Sequence, residues 1–369
     1  MKLFRQLIAK KPNILVCPLD WGIGHATRCI PLISSLIKRQ ANVIIGADNR
    51  PLMLLRQEFP ELQFIRFPGY QFSYPESSKM ALKMFLQAPR IMKGIKQEHQ
   101  KLGEIISQHK IDIVISDNRF GLYNQRAYTV FMTHQLFIQT PPQLGFLKPI
   151  LNWQNKRYIN HFNECWIPDF EGKENLSGIL SHGRQTPQNA YFIGPQTRFS
   201  KPEESKPLKP KFEMLAILSG PEPQRTLLEN KLKKEILNSG KTALMVLGKP
   251  ELEIEEQVNG NLIIYNHLNA KTLQAMILSS DVIISRPGYS TLMDLAILNK
   301  KAVFIPTPGQ TEQEYLAKHC DELGLCYWMP QDKFNLEMAL KKSKQYSGLN
   351  FAPETALLEK RIDSLLEKL

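Results

Sequence analysis

Short apolar runs rich in Val and Ile alternate along this chain with stretches whose apolar residues fall three and four apart. The first spacing is that of buried strands and the second that of helices. In the first half, residues 13–17, 42–45, 63–67, 111–116 and 129–133 predict strands. Ile30, Ile33, Leu36 and Ile37 place a helix after the first of them, with Pro31 early in it, and Pro51 sits near the start of the next helix. In the second half, strands are predicted at 214–218, 243–247, 262–265, 281–284 and 302–305, and helices at 225–237, 270–278, 290–298 and 312–323. Strands alternating with helices predict parallel α/β sheets joined by crossover helices.

The texture breaks between 194 and 212, a run rich in proline and charge that reads as a linker. The chain therefore divides into a first domain (1–200), a linker (201–212), a second domain (213–350) and a terminal helix (351–369). Leu357, Leu358, Ile362, Leu365 and Leu366 lie at helical spacing in that last segment, which is expected to fold back on the first domain. Two α/β domains on one linker leave a cleft between the carboxyl edges of their sheets, where such folds bind ligands.

Composition narrows the classes of function. At 369 residues the chain exceeds a typical single core, and 43% hydrophobic with 22% charged residues is a globular balance. It contains no apolar run long enough to cross a bilayer, and charges interrupt the first eleven residues too often for a secretory signal. Cys17, Cys29, Cys165, Cys320 and Cys326 show no CxxC spacing. An odd, scattered set suits a reducing cytoplasm and argues against disulfides or structural zinc. The Asn175-Leu-Ser177 sequon then carries no meaning. A net charge of +12 calls for an anionic partner: nucleic acid, a membrane surface or a phosphorylated substrate. Nothing in the chain has the signature of an RNA-binding module or a zinc finger, so nucleic acid is set aside.

Chemistry concentrates at the ends of the predicted strands. The run 281–284 feeds through Ser285-Arg286-Pro287-Gly288 into a helix that begins near Ser290 and Thr291 and carries Asp294 one turn in. A small-residue turn there leaves N–H groups at the positive end of a helix dipole, a seat for a diphosphate, with Asp294 in reach of a ribose. An ordinary βα turn looks the same when taken alone. Gly22-Ile-Gly24 is half of a dinucleotide fingerprint; Thr27 stands where the third glycine belongs, which weakens a nicotinamide site even though Asp48 ends the second strand. His25 follows Gly24 at the cleft edge, placed either to take a proton from a hydroxyl or to cap its helix against Trp21. Asp117 and His134 end two further strands of this half. In the second half, Ser219, Gly220 and Arg225 form a turn suited to phosphate, His267 and Leu268 end a strand where a base could rest, and Gln310, Gln313 and Glu314 open a polar helix suited to sugar hydroxyls. The chain has no Asp-x-Asp, HExxH or GxxxxGK[ST] motif. The charge of a departing diphosphate would then fall to the helix N-terminus and to Arg286 or Arg225, with no metal expected.

Together these residues resemble the GT-B glycosyltransferases, and among them the MurG-like enzymes of family 28, which use UDP-activated sugars. The likeness spans both halves and is more specific from 213 to about 320. It implies an α/β chain of two Rossmann-like domains facing each other across a cleft. It also implies metal-independent, inverting transfer of a hexose or N-acetylhexosamine from a UDP-sugar to an acceptor hydroxyl. By this resemblance His25 is the general base, and Ser285, Arg286, Gly288, Ser290 and Thr291 hold the donor diphosphate, with Gly24 also on the donor. Asp117, from its place at a strand end, is set to orient that imidazole or to bind a sugar hydroxyl. Asp294 takes the ribose, with Asp where the relatives have Glu. His267 and Leu268 take the uracil, and Gln313 with Glu314 read the donor sugar where the relatives carry two glutamines. The first loop lacks the extra glycines of those enzymes and Glu314 replaces an amide, so the acceptor and the donor sugar stay unassigned. A UDP-sugar epimerase of the same fold and a catalytically inactive nucleotide-sugar-binding protein are the alternatives.

Residues 79–96 mix five basic side chains with Met, Phe and Leu. They read either as a helix with one buried face or as a contact with an anionic membrane that carries a lipid-linked acceptor.

Overall fold

The computed structural model describes residues 11–368 except 21, 70–79, 141, 184–185, 201–210, 250, 254 and 352–355. Most of the predicted linker, Trp21 and the start of the basic segment therefore lie outside the described residues. The first domain runs β1 (Asn13–Pro18), α1 (Ile23–Lys38), β2 (Asn42–Ala47), α2 (Asn49–Glu58), β3 (Gln63–Arg66), α3 (Met80–His109), β4 (Ile113–Asp117), β5 (Tyr128–Met132), α4 (Lys148–Ile159), β6 (Glu164–Ile167) and β7 (Ala190–Phe192). Its sheet has the order β3-β2-β1-β4-β5-β6-β7, parallel throughout.

The second domain repeats the plan with β8 (Phe212–Ile217), α5 (Gln224–Ser239), β9 (Ala243–Val246), β10 (Glu256–Asn259), β11 (Leu262–Tyr265), α6 (Ala270–Leu278), β12 (Ser280–Ser285), α7 (Tyr289–Ile297), β13 (Lys301–Phe304), α8 (Thr311–Glu322), β14 (Tyr327–Trp328) and α9 (Leu336–Ser343). The order is β10-β11-β9-β8-β12-β13-β14, and only β10 runs antiparallel to its neighbour. In each sheet the winding reverses beside the first strand, between β1 and β4 and between β8 and β12. The flanking helices diverge at those points and open a crevice at the carboxyl ends of the strands.

Alternation within the strands explains the layers. On β1, Ile14 and Val16 pack with Ala26, Cys29, Leu32 and Leu36 of α1, while Leu15 and Cys17 face Leu102, Ile105 and Ile106 of α3. A strand apolar on both faces must be covered on both faces, which is why these runs were continuous rather than alternating in the sequence. The last helix, α10 (Leu357–Leu366), sends Leu358, Ile362 and Leu365 into the same core as α1. Its polar edge is tied down as well: Ser35 donates to Glu359 at 2.7 Å, and Arg361 and Lys368 both pair with the buried Glu164. The chain's end thus returns to the first domain. The two α/β halves expected from the sequence are present, with a polar, exposed β10 and the short β6, β7 and β14 added at the sheet edges. Among the described residues no helix is long and apolar enough to cross a membrane.

Candidate active site

Two helix N-termini meet where the sheets' crevices face each other. α1 starts after Gly22, whose φ of +118° is a backbone region that glycine enters freely, and α7 starts after Gly288. Neither start is capped by a side chain and neither has an acid in its first turn. The Ser290 hydroxyl donates to the Gly24 carbonyl at 2.9 Å, so the two starts touch across the cleft. The N–H groups and positive dipole ends of two uncapped helix starts favour negative charge at this point. Gly24 permits the approach, since a Cβ there would lie 3.0 Å from Ser290 Oγ. Gly24→Val should cost the closed arrangement about 1–3 kcal/mol. Donor affinity measured by calorimetry is expected to fall roughly tenfold, with the melting temperature unchanged.

His25 is the third residue of α1, and Asp117 ends β4 opposite Pro18 in the strand register. His25 Nδ1 lies 3.1 Å from Asp117 Oδ2 and 2.7 Å from Arg28 Nη2. Arg28, one turn along α1 and fully buried, grips Asp117 with two N–H groups, the one from Nε at 2.8 Å. Burial alone would raise the Asp117 carboxyl, but Arg28 and His25 hold it down at about 2. Burial and the Arg28 charge lower the His25 pKa against the pull of Asp117, so the imidazole is neutral at pH 7. In the tautomer whose Nδ1 donates to Asp117, His25 offers Nε2 as a proton acceptor. Arg28 Nη2, which can only donate, competes for the same Nδ1 and favours the other tautomer.

The polar chain continues across the cleft. Arg28 Nη1 donates to His134 Nδ1 at 3.1 Å, which leaves the His134 proton on Nε2 facing Glu312 Oε1 at 2.7 Å. Gln135 donates to the other oxygen of Glu312, a residue in the first turn of α8. The His134 ring stacks on Tyr289 with centroids 4.1 Å apart and planes 1° from parallel. Arg28 and Glu312 were not singled out from the sequence. The only signal was positional: Arg28 stands three residues after His25, on the same face of a helix.

On the donor side, Ser285 Oγ and Arg286 Nε at the end of β12, Thr307 Oγ1 just after β13, and Gln310 Oε1 are buried with no partner among the described residues. Buried polar groups are nearly always satisfied, so this cluster fits a site completed by a ligand. Gly220 stands beside it, with its would-be Cβ 3.9 Å from Thr307 Oγ1 and φ of +108°. Burial raises the Asp294 carboxyl to about 6 against the opposing Arg198, and the Thr197 hydroxyl donates to it. His267 Nδ1 is buried without a partner, while the Leu268 side chain belongs to the second domain's core and leaves only its backbone for a ligand.

Two expectations change. Arg225 is not available for phosphate: its guanidinium is spent on Glu222 and Glu229, which lie on either side of it along the chain and neutralise it. Arg286 spends both Nη groups on the carbonyls of Ile305, Pro306 and Gln224 and on Gln331, bracing the strand-end loops and leaving only Nε free. Gln313 accepts from the Thr307 N–H at 2.8 Å and Glu314 from that of Gly309 at 3.0 Å, so both shape the loop after β13. Asp48 is taken by Arg66 at 2.8 Å.

Comparison with known proteins places this geometry. The profile of the glycosyltransferase family 28 C-terminal domain matches residues 224–368, and that of glycosyl transferase family 1 matches 13–138. A curated relative from Sulfurihydrogenibium sp. is the UDP-N-acetylglucosamine–N-acetylmuramyl-(pentapeptide) pyrophosphoryl-undecaprenol N-acetylglucosamine transferase. It is 29% identical over 121 residues, or 28% of this chain and 34% of that protein. The match thus spans about a third of that relative's length. Among solved structures, the glycotransferase of kitacinnamycin superposes with a TM-score of 0.64 at 14% identity, covering 97% of this chain and 99% of that one. MurG of Acinetobacter baumannii gives 0.54 at 13%, covering 98% and 100%. A glycosyltransferase of Arabidopsis thaliana complexed with UDP-L-rhamnose gives 0.59 at 13%, covering 97% and 94%. The chain has the two-domain GT-B fold of these glycosyltransferases, and residues 224–368 match the family 28 C-terminal domain.

Proposed function

We propose that this protein transfers a hexose or N-acetylhexosamine from a UDP-sugar to an acceptor hydroxyl, in one inverting displacement without a chelated metal. The observation that carries the reading is the meeting of the His25–Asp117 pair with the uncapped N-terminus of α7 across one cleft. His25 Nε2 takes the acceptor's proton as its oxygen attacks the anomeric carbon, and Asp117 stabilises the imidazolium that forms. The bond from that carbon to the diphosphate oxygen breaks with its electron pair leaving on UDP. The developing charge meets the N–H groups of Tyr289, Ser290 and Thr291 and the unpartnered Arg286 Nε. We further propose that the acceptor is presented at an anionic membrane surface.

Incubation with a panel of nucleotide sugars, with and without a cell lipid extract, tests this. UDP release that depends on the extract supports transfer. A new sugar nucleotide formed without acceptor would identify an epimerase, and binding of UDP without any turnover would identify a binding protein.

Asp294 supplies a second test. As a carboxylate it accepts the ribose hydroxyls, so UDP affinity should weaken as pH falls through about 6, approaching tenfold per unit. Asp294→Asn should bind UDP more weakly and with a flat pH profile. Its effect on stability has the opposite sense. With the folded value raised above 3.8, its contribution is full below that value and is lost as pH rises through about 6.

A further inference from the structure

One apolar surface of the first domain is not used by the cleft. Phe146, Ile150 and Trp153 are 72%, 60% and 62% exposed, and Ile150, Trp153 and Arg157 recur along one side of α4. The opposite side of α4 is fixed in place. Ile159 is buried, and Asn155 donates to the carbonyls of Gln135 and Leu136 at 2.9 and 3.0 Å. The exposed side chains are therefore held outward on a rigid helix beside the segment that carries His134. Under them runs a groove of about 1150 Å³ walled by Phe137, Trp153, Ile179 and Pro187, with Lys148 and Lys156 on it and no acid among its described lining residues. From 118 to 163 the chain has no Asp or Glu at all, against Arg119, Arg126, Lys148, Lys156 and Arg157. Arg119 is buried on Glu98, which leaves the basic side chains of α4 to set the charge of this face.

We propose that the outer face of α4 is the surface by which this protein lies on an anionic lipid bilayer. This deepens the membrane part of the proposed function and leaves the chemistry of the cleft aside. An apolar stripe with a tryptophan, flanked by cations and free of acids, matches the boundary between acyl chains and anionic headgroups. A nucleic acid would use the cations and leave Phe146 and Ile150 in water. The proposal moves the membrane contact away from residues 79–96: among the described side chains of α3, Ile95 is buried and Met92 is the one large apolar group exposed.

The test is co-sedimentation of the full chain with vesicles of phosphatidylcholine containing about one third phosphatidylglycerol, compared with phosphatidylcholine alone. Binding should require the anionic lipid and weaken with salt. Lys156→Glu and Arg157→Glu should each cost at least about fivefold in partitioning, and Ile150→Ser with Trp153→Ser about tenfold or more together. UDP affinity should be unchanged in all three, which shows that the domains remain folded. Trp153→Phe should remove the vesicle-induced blue shift of fluorescence while binding persists. Absence of binding to anionic vesicles, or binding that the α4 variants leave intact, overturns the proposal. Absence of UDP release in the presence of the lipid extract, with vesicle binding intact, would count against the glycosyl-transfer reading and not against this one.

Discussion

His25→Ala should lower turnover by about 10²- to 10⁴-fold while the UDP dissociation constant stays within about twofold. The split follows from position. His25 sits on the first-domain side of the cleft with its Nδ1 on Asp117, whereas the groups placed for the donor belong to the ends of β12 and β13 and the start of α7. Removing the imidazole deletes a proton acceptor needed only as the acceptor oxygen attacks, so the loss appears in kcat. The pH profile gives a second reading. Burial and Arg28 lower the His25 pKa, so the wild-type rate should hold well into mildly acidic pH and fall only below the ordinary histidine range. Asp117→Asn should lower turnover as well, because an amide does not stabilise the imidazolium. Steady-state kinetics beside calorimetric UDP binding decide the matter. Equal losses in turnover and in nucleotide affinity would remove His25 from the role of base.

How much of this could be read in the sequence depended on what each residue's neighbours along the chain reveal. The strands of the two sheet centres were legible because burial on both faces demands unbroken β-branched runs, as in 13–17 and 281–284. Edge strands carry no such demand: β10 is Glu-Gln-Val-Asn and wholly exposed, and β14 is two residues long. The candidate groups at strand ends, His25, Asp117 and His134, were legible for a topological reason, since loops after parallel strands all open on one edge. Their connections were not. Arg28 reads as an ordinary basic residue on the polar side of a helix, and its burial follows only from the arrival of β4, about ninety residues later, with a carboxylate at its end. Glu312 reads as an acid that complements its own helix dipole, and nothing near it announces a histidine from the other domain. Arg225 failed in the opposite direction: its two acidic partners lie within four residues of it and could have been weighed against a phosphate role.

Arg28→Leu should destabilise the first domain by about 3–5 kcal/mol, because it leaves the Asp117 carboxylate buried without its counter-charge. For a domain of this size that is roughly a 6–20 °C fall in melting temperature, measured by circular dichroism at pH 7. The pH dependence carries the sign. In the wild type Arg28 and His25 hold Asp117 at about 2, below its ordinary 3.8, so its stabilising contribution is present above 3.8 and is lost as pH falls toward 2. Without Arg28 burial dominates and raises the carboxyl instead. The variant then gains relative to the wild type as pH drops, and the difference in melting temperature should shrink between pH 7 and pH 4. Asp117→Asn tests the cause. Combined with Arg28→Leu it removes the buried charge together with its partner, and the double variant should melt above Arg28→Leu alone. The other contacts of Arg28 weigh less: one is a single hydrogen bond to His134 Nδ1, and the Glu312 beyond it keeps about a quarter of its side chain in solvent. If Arg28→Leu costs as much in the Asp117→Asn background as in the wild type, the guanidinium acts by filling space and the ion pair is not what holds this corner of the cleft.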